Sequence, residues 1–177
     1  MHDPRLLDQL SSFTTFQREW EVYRAIPKGL RPLTPSTAGG RWSPRGSVPV
    51  IYASLTREGS LAEISYHWSL LDPLPTKPVD LCRIRAATQQ ALRLEDGDLV
   101  KLGVDLASIG NIPYKLTQDI GAAASFLGYD GLIIPSARWK AENLVVFAEN
   151  SSLDSALEVL ETEEVGWQTW AKSNGFL

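Results

Sequence analysis

Cysteine occurs once in the 177 residues, at Cys82, so no internal disulfide can form. Histidine occurs twice, at His2 and His67, which leaves no Cys/His set at zinc-ligand spacing. Cys82 stands between Leu81 and Ile84 in an alternating run, the setting of a buried structural thiol rather than a nucleophile. No apolar run approaches the roughly 20 residues that span a bilayer, and the N-terminus carries no signal-peptide pattern, so the expected compartment is the cytoplasm. Positive charge is in deficit: 17 Lys and Arg stand against 21 Asp and Glu, a net charge of −4, which argues against direct nucleic-acid binding. Neither GxGxxG after a strand nor GxxxxGK followed by Ser or Thr is present, which removes the Rossmann and P-loop readings. Repeats and low-complexity tracts are absent too.

What remains is an ordinary globular composition, 44% hydrophobic and 21% charged, long enough for one domain with a sizeable core. Around residues 39–71, GGRWSPRGSVPVIYASLTREGSLAEISYHWSLL, loop, strand and helix signals follow one another. Gly39, Gly40, Pro44 and Gly46 mark a loop carrying Arg41 and Arg45, whose planar guanidinium groups suit phosphate or carboxylate recognition. VPVIYAS is a short β-branched run that brings Tyr52 to a strand end. Thr56 is a cap for the next segment, Glu58 falls in its first turn, and Leu61, Ile64, Trp68 and Leu71 recur at helical spacing. Glu63 points away from that face, with His67 one turn further on. A loop arginine, a strand-end tyrosine and a helix carboxylate together suit an anionic ligand. Taken alone, Glu63 is an ordinary solvated glutamate, so the reading depends on matching parts elsewhere.

Arg24 and Ser136 are those parts. EVYRAI, residues 21–26, alternates as a short strand, with Val22 and Arg24 on one side and Tyr23 on the other. An arginine inside a strand lies on a wet face or is buried and needs an anionic partner. Ser136 leaves the apolar strand LIIP directly after Pro135, where strand ends meet ligand-contacting loops. It lacks a GxSxG elbow, so a hydrogen bond to ribose or phosphate fits it better than nucleophilic catalysis, and its plain alternative is a turn serine.

The rest of the chain reads as scaffold. Residues 1–20 form an amphipathic lead-in with Leu6, Leu7, Leu10 and Phe13 in one stripe, and Pro27–Ser36 is a loop by its three prolines and Gly29. DPLPTKP breaks the chain before the strand VDLCRIRA, and residues 87–113 read as turns and a short helix. Glu95, Asp96, Asp98 and Asp105 there match no calcium-loop spacing. Tyr114–Leu127 is a helix with Leu116, Ile120, Ala123, Ala124 and Leu127 as its stripe and Gly128 as its stop. LVVFAE is a further strand, Ser152 caps a last helix to Leu160, and the tail carries Trp167 and Trp170, for docking on the body or, if exposed, on a partner. About five or six strands and three or four helices without strict alternation predict an α+β fold. It is expected as a single compact domain over residues 1–177, a mixed or antiparallel β core flanked by helices, with the motifs in 20–150 and a C-terminal helix and tail in 151–177.

Tyr23-Arg24, GGRW at Gly39–Trp42, the PRG turn followed by VIYAS, LAE at Leu61–Glu63 with His67 four residues on, and PSAR at Pro135–Arg138 followed by ENLVVF fall in one order. In that order they resemble the RES domain, named for an arginine, a glutamate and a serine. The resemblance assigns those positions to Arg24, Glu63 and Ser136, and an accompanying arginine and tyrosine to Arg41 and Tyr52. Ser43 stands where many members have asparagine, and WKAE at 139–142 is individual to this chain. The resemblance implies a fold similar to ADP-ribosyltransferases and a toxin of a bacterial toxin–antitoxin pair that consumes NAD without a metal. Arg24 and Arg41 would then pair with the pyrophosphate, and Tyr52 would stack on nicotinamide or ribose. Glu63 would hold a ribose hydroxyl and stabilise the oxocarbenium-like cation, and Ser136 would anchor ribose or phosphate. The activity implied is cleavage of the nicotinamide–ribose bond by water or phosphate, with growth arrest by NAD depletion. Mono-ADP-ribosyl transfer to a protein and a non-catalytic nucleotide-binding module are the alternatives. An Xre-type helix-turn-helix antitoxin is the implied partner, a homodimer is compatible, and neither nucleic acid nor membrane is expected as a direct partner.

Overall fold

A computed structural model describes residues 2–111 and 114–177. In chain order its elements are α1 (Pro4–Ser11), β1 (Thr15–Pro27), β2 (Val50–Ser54), α2 (Arg57–Ser69), β3 (Val79–Arg93) and α3 (Asp96–Lys101). A 3₁₀ turn (Leu106–Ser108) follows, then α4 (Lys115–Phe126), β4 (Gly131–Pro135), β5 (Glu142–Phe147), α5 (Leu153–Ala156), β6 (Leu157–Val165) and α6 (Trp167–Ser173). This is the α+β class expected, with a mixed sheet in which only the β3–β4 pairing is parallel.

The strand order is β1-β2-β5-β4-β3-β6, and β1 pairs with β3 as well, so five strands close into a barrel with β6 outside it. Strand β3 is the spine. One of its edges pairs with β1 from Thr15↔Leu92 to Pro27↔Val79, and the other carries β6 along Val79–Ala86 and then β4 along Ala91–Arg93. The ring closes between β1 and β2 at the register pair Tyr23↔Ser54 alone. Past that pair the strands diverge, and the amide of Ala25 donates to Ser60 Oγ of α2 at 2.6 Å instead of to a strand. The helix that carries Glu63 is thereby stapled across the seam.

Period-two alternation fills the barrel. Trp20 and Val22 of β1, Ile51 of β2, Cys82 and Ile84 of β3 and Leu144 and Val146 of β5 form one buried cluster. Arg24 shares the face of Trp20 and Val22, so the same alternation carries a guanidinium to the end of the apolar interior. Helices α1 and α4 pack Leu10 and Ile120 against Leu92, Leu132 and Phe147, with Trp42 of the arginine loop in the same cluster. On another side α2 and α6 pack Leu61 and Trp167 over Val79 and Leu81.

Several boundaries differ from the sequence reading. Only Pro4–Ser11 of the lead-in is helical, started by Asp3, whose side chain accepts from the Arg5 amide. The strand expected at 21–26 starts at Thr15, because pairing with β3 runs on to Leu92. Likewise β3 extends through Arg93 into the stretch read as turns; α3 and the 3₁₀ turn do follow it, and residues 112 and 113 lie outside the described part. Leu71 falls beyond α2 and Leu116 faces outward, while Thr117 and Gly121 join the buried side of α4.

The largest difference is at 152–165. Ser152 makes no side-chain cap, the helix ends at Ala156, and Leu157–Val165 is a strand. Its glutamates pair across to basic residues: Glu158 with Arg85, Glu161 with Arg83, Glu163 with Arg57 and Glu164 with Lys28. Backbone pairing along the edge of β3, with Glu158–Arg85 and Glu161–Arg83 as cross-strand pairs, outweighs the helical preference of Leu and Glu. The tail then docks on the body: Trp167 is buried and donates from Nε1 to the Pro75 carbonyl at 3.0 Å, which removes it as an exposed docking residue.

Candidate active site

A cavity of about 370 Å³ opens at the seam where β1 and β2 diverge. Its walls are the end of β1 from Arg24, the loop at Gly39–Trp42, Tyr52 and Ser54 of β2, the Glu63 side of α2, Tyr114 ahead of α4, and Asn143 of β5. Four of the five residues singled out from the sequence, Arg24, Arg41, Tyr52 and Glu63, line it directly. Ser136 stands behind Glu63, its hydroxyl donating to Glu63 Oε1 at 2.7 Å.

The helix delivers Glu63 through local chemistry. Thr56 accepts the Gly59 amide as N-cap, and Gly59, Ser60, Ala62 and Ser65 are buried small residues that let α2 lie close to the barrel. A Cβ on Gly59 would sit 2.3 Å from Ser54 Oγ. Glu63 Oε1 then receives two donors, Ser136 Oγ and Asn143 Nδ2, the latter at 2.8 Å. Ser136 Oγ itself accepts the amides of Arg138 and Trp139 at 3.1 and 3.3 Å, so its proton is directed to the carboxylate.

The loop is held just as tightly. The Tyr52 hydroxyl accepts the Trp42 amide at 3.1 Å, and Gln118 of α4 donates to the Gly40 carbonyl at 2.9 Å. A Cβ on Gly40 would lie 2.7 Å from the Tyr52 hydroxyl oxygen, so any side chain there displaces the tyrosine. At Gly121 of α4 a Cβ would lie 1.8 Å from the Trp42 carbonyl oxygen, so helix and loop meet backbone to backbone. Ser43 is buried and donates to the Val48 carbonyl at 2.6 Å, which gives the hydroxyl a structural use.

Electrostatically the cavity is a cationic pocket with one acid. Arg24 Nη1 is buried with no acceptor and Nη2 reaches only the Thr34 carbonyl at 3.4 Å. Arg41 stacks on Tyr114, its Cζ 4.5 Å from the ring centre. Neither arginine has a carboxylate partner among the described residues. Burial lowers the pKa of both, and for Arg41 the neighbouring Arg138 adds to the effect, yet a guanidinium stays charged at neutral pH. Arg138 stacks on Tyr66 at 3.3 Å and donates to the Gly110 carbonyl at 2.7 Å. Burial pushes the Tyr52 hydroxyl far up its scale, keeping it a neutral donor and acceptor. His67 lines the cavity while remaining an exposed residue, and its pKa is lowered by desolvation and by Arg138 and Arg41, against the pull of Glu63. Among the described residues no group of three or more His, Cys, Asp and Glu could hold a metal ion.

Sequence reasoning missed Asn143 and Tyr114. Asn143 lies in the quoted ENLVVF run, and a polar residue leading an otherwise apolar central strand is the signal that was available. Tyr114 carries no such signal, since only the fold brings it to Arg41.

The RES domain family model matches residues 17–168 of the chain. Among solved structures it is similar to a chain of the M. tuberculosis MbcT–MbcA toxin–antitoxin complex, with a TM-score of 0.84 and 21% sequence identity over 96% of this chain and 97% of that one. At that identity the likeness is one of fold. No curated protein matches the sequence.

Proposed function

The chain belongs to the RES domain family, and from that premise we propose that it is an NAD-consuming toxin that cleaves the nicotinamide–ribose bond. The observation that carries the reading is Glu63: its Oε1 is held by Ser136 and Asn143, while the side chain lines a cavity shared with two arginines that lack carboxylate partners. Arg24 and Arg41 suit the pyrophosphate of a dinucleotide, since charge-assisted bonds from guanidinium to phosphate are the strong kind. Tyr52 supplies an aromatic wall and a neutral hydroxyl. As the C–N bond breaks, its electron pair leaves with nicotinamide and positive charge develops on the ribose, where a fixed carboxylate stabilises it. Attack by water at that carbon gives ADP-ribose and a proton; attack by inorganic phosphate gives the phosphorylated sugar. Ser136 acts in this scheme as a support for Glu63.

The likeness to a chain of a toxin–antitoxin complex supports an antitoxin partner, for which an Xre-type helix-turn-helix protein is our expectation. The test is incubation of purified protein with NAD, with and without phosphate, following free nicotinamide. Release is expected from the native chain and lost in Glu63→Gln at unchanged melting temperature. Full activity or full toxicity in that variant would remove Glu63 from the mechanism, and saturable NAD binding without release would leave a binding module.

A further inference from the structure

Resting on that reading of Glu63, we propose that Asn143 is a positioning residue that decides which oxygen of Glu63 faces the substrate and keeps the group an acceptor. Asn143 sits on the central strand β5, with its backbone paired to Ser54 of β2 on one side and to Ile134 of β4 on the other. That double pairing leaves its side chain little freedom to follow a moving partner. Its Nδ2 and the Ser136 hydroxyl converge on one oxygen of Glu63, at 2.8 and 2.7 Å, and no donor among the described residues occupies the other oxygen. Two donors on one carboxylate oxygen suit the ionised, acceptor-only form and leave the second oxygen for a ligand hydroxyl or a developing cation.

A second observation sets Asn143 apart from a packing residue. Its Oδ1 is buried with no donor among the described residues, so that end of the amide brings the fold nothing. Turning the amide over would satisfy nothing, since it would set the amide oxygen against the carboxylate. What the residue supplies is the N–H to Glu63. The other charged and titratable groups that line the cavity around Glu63 are Arg24 from β1, Arg41 from the loop, Tyr52 from β2 and His67 from α2, so any change in its protonation is read against them.

The experiment compares the native chain with Asn143→Asp and Asn143→Leu in nicotinamide release across pH, with kcat and KM separated and the melting temperature of each recorded. Asn143→Asp sets a second carboxyl against Glu63, and the pair then shares a proton. Its kcat at neutral pH is expected to fall by about tenfold or more, with the acid limb of the kcat profile moved up by about one pH unit and KM little changed. Asn143→Leu is expected to melt at or above the native temperature and still lose about tenfold in kcat. A folded Asn143→Asp protein with native kcat and an unmoved acid limb overturns the proposal. If the native chain releases no nicotinamide at any pH, the enzymatic reading has failed instead, and carbon-13 NMR of labelled glutamate decides this one. The signal absent from Glu63→Gln should titrate at higher pH in Asn143→Asp than in the native chain, and an identical midpoint overturns the positioning role.

Discussion

Replacing Arg24 with methionine asks whether that arginine is retained for the fold or for a ligand, because the two uses predict opposite signs. Its Nη1 is buried without an acceptor and its Nη2 has only a carbonyl at 3.4 Å. A buried donor left unpaired costs about 1–3 kcal/mol, more where it is charged. Methionine keeps much of the aliphatic stem that packs at the end of the barrel and removes the group that lacks a partner. In the absence of ligand the variant is therefore expected to be more stable by about 1 kcal/mol, the low end because the side chain is only partly buried. For a chain of this length that raises Tm by about 2–4 °C. Saturating NAD should reverse the order: a charge-assisted bond to phosphate contributes about 1.5–3 kcal/mol, so Kd for NAD should rise about 10–150-fold. Thermal melts with and without NAD, together with calorimetric titration, read both effects. A ligand-free Arg24→Met protein that melts below the native one would refute the argument and make Arg24 a structural residue.

Three further outcomes follow from the same geometry. Gly40→Ala forces the Tyr52 hydroxyl away from the Trp42 amide and should cost about tenfold or more in nicotinamide release, measured beside a melting curve that moves little. Gly121→Ala drives a methyl into the Trp42 carbonyl and should destabilise the protein by about 1–3 kcal/mol, which denaturant titration would register; an unchanged midpoint contradicts the contact. His67 has a folded pKa below its unfolded value, so it favours the fold above the unfolded value and that contribution is lost as pH falls through the folded one. Acidification through the ordinary histidine range should then lower the Tm of the native chain more than that of His67→Gln, and parallel curves would count against it.

The arginine loop, VIYAS and the Glu63 helix were legible because each rests on signals within a few residues: loop glycines, a β-branched run, a Thr56 cap. The order of short motifs extended that local reading to Arg24 and Ser136, which lie more than a hundred residues apart in the chain; the fold sets one in the cavity wall and the other behind Glu63. The segment after Ser152 was not legible, since Leu, Ala and Glu dominate LDSALEVLE and its strand state comes from pairing along β3, far away in sequence. The full length of β3 was hidden for a related reason: Gln89 and Gln90 look like turn residues until Asp130 is seen accepting both of their amides. Asn143 was overlooked because its use lies wholly in its neighbour.

The way β5 completes the barrel gives the protein a schedule. Arg24, Arg41, Tyr52 and Glu63 have all left the ribosome before Ser136 and Asn143 are translated, and β2 meets β1 at one register pair until β5 arrives to hold its whole length. A strand of five residues with so little pairing does not stand on its own. A nascent or broken chain that stops short of residue 147 therefore carries the arginines and the glutamate but has no cavity to put them in. Whatever chemistry the pocket performs begins only once synthesis has passed that strand.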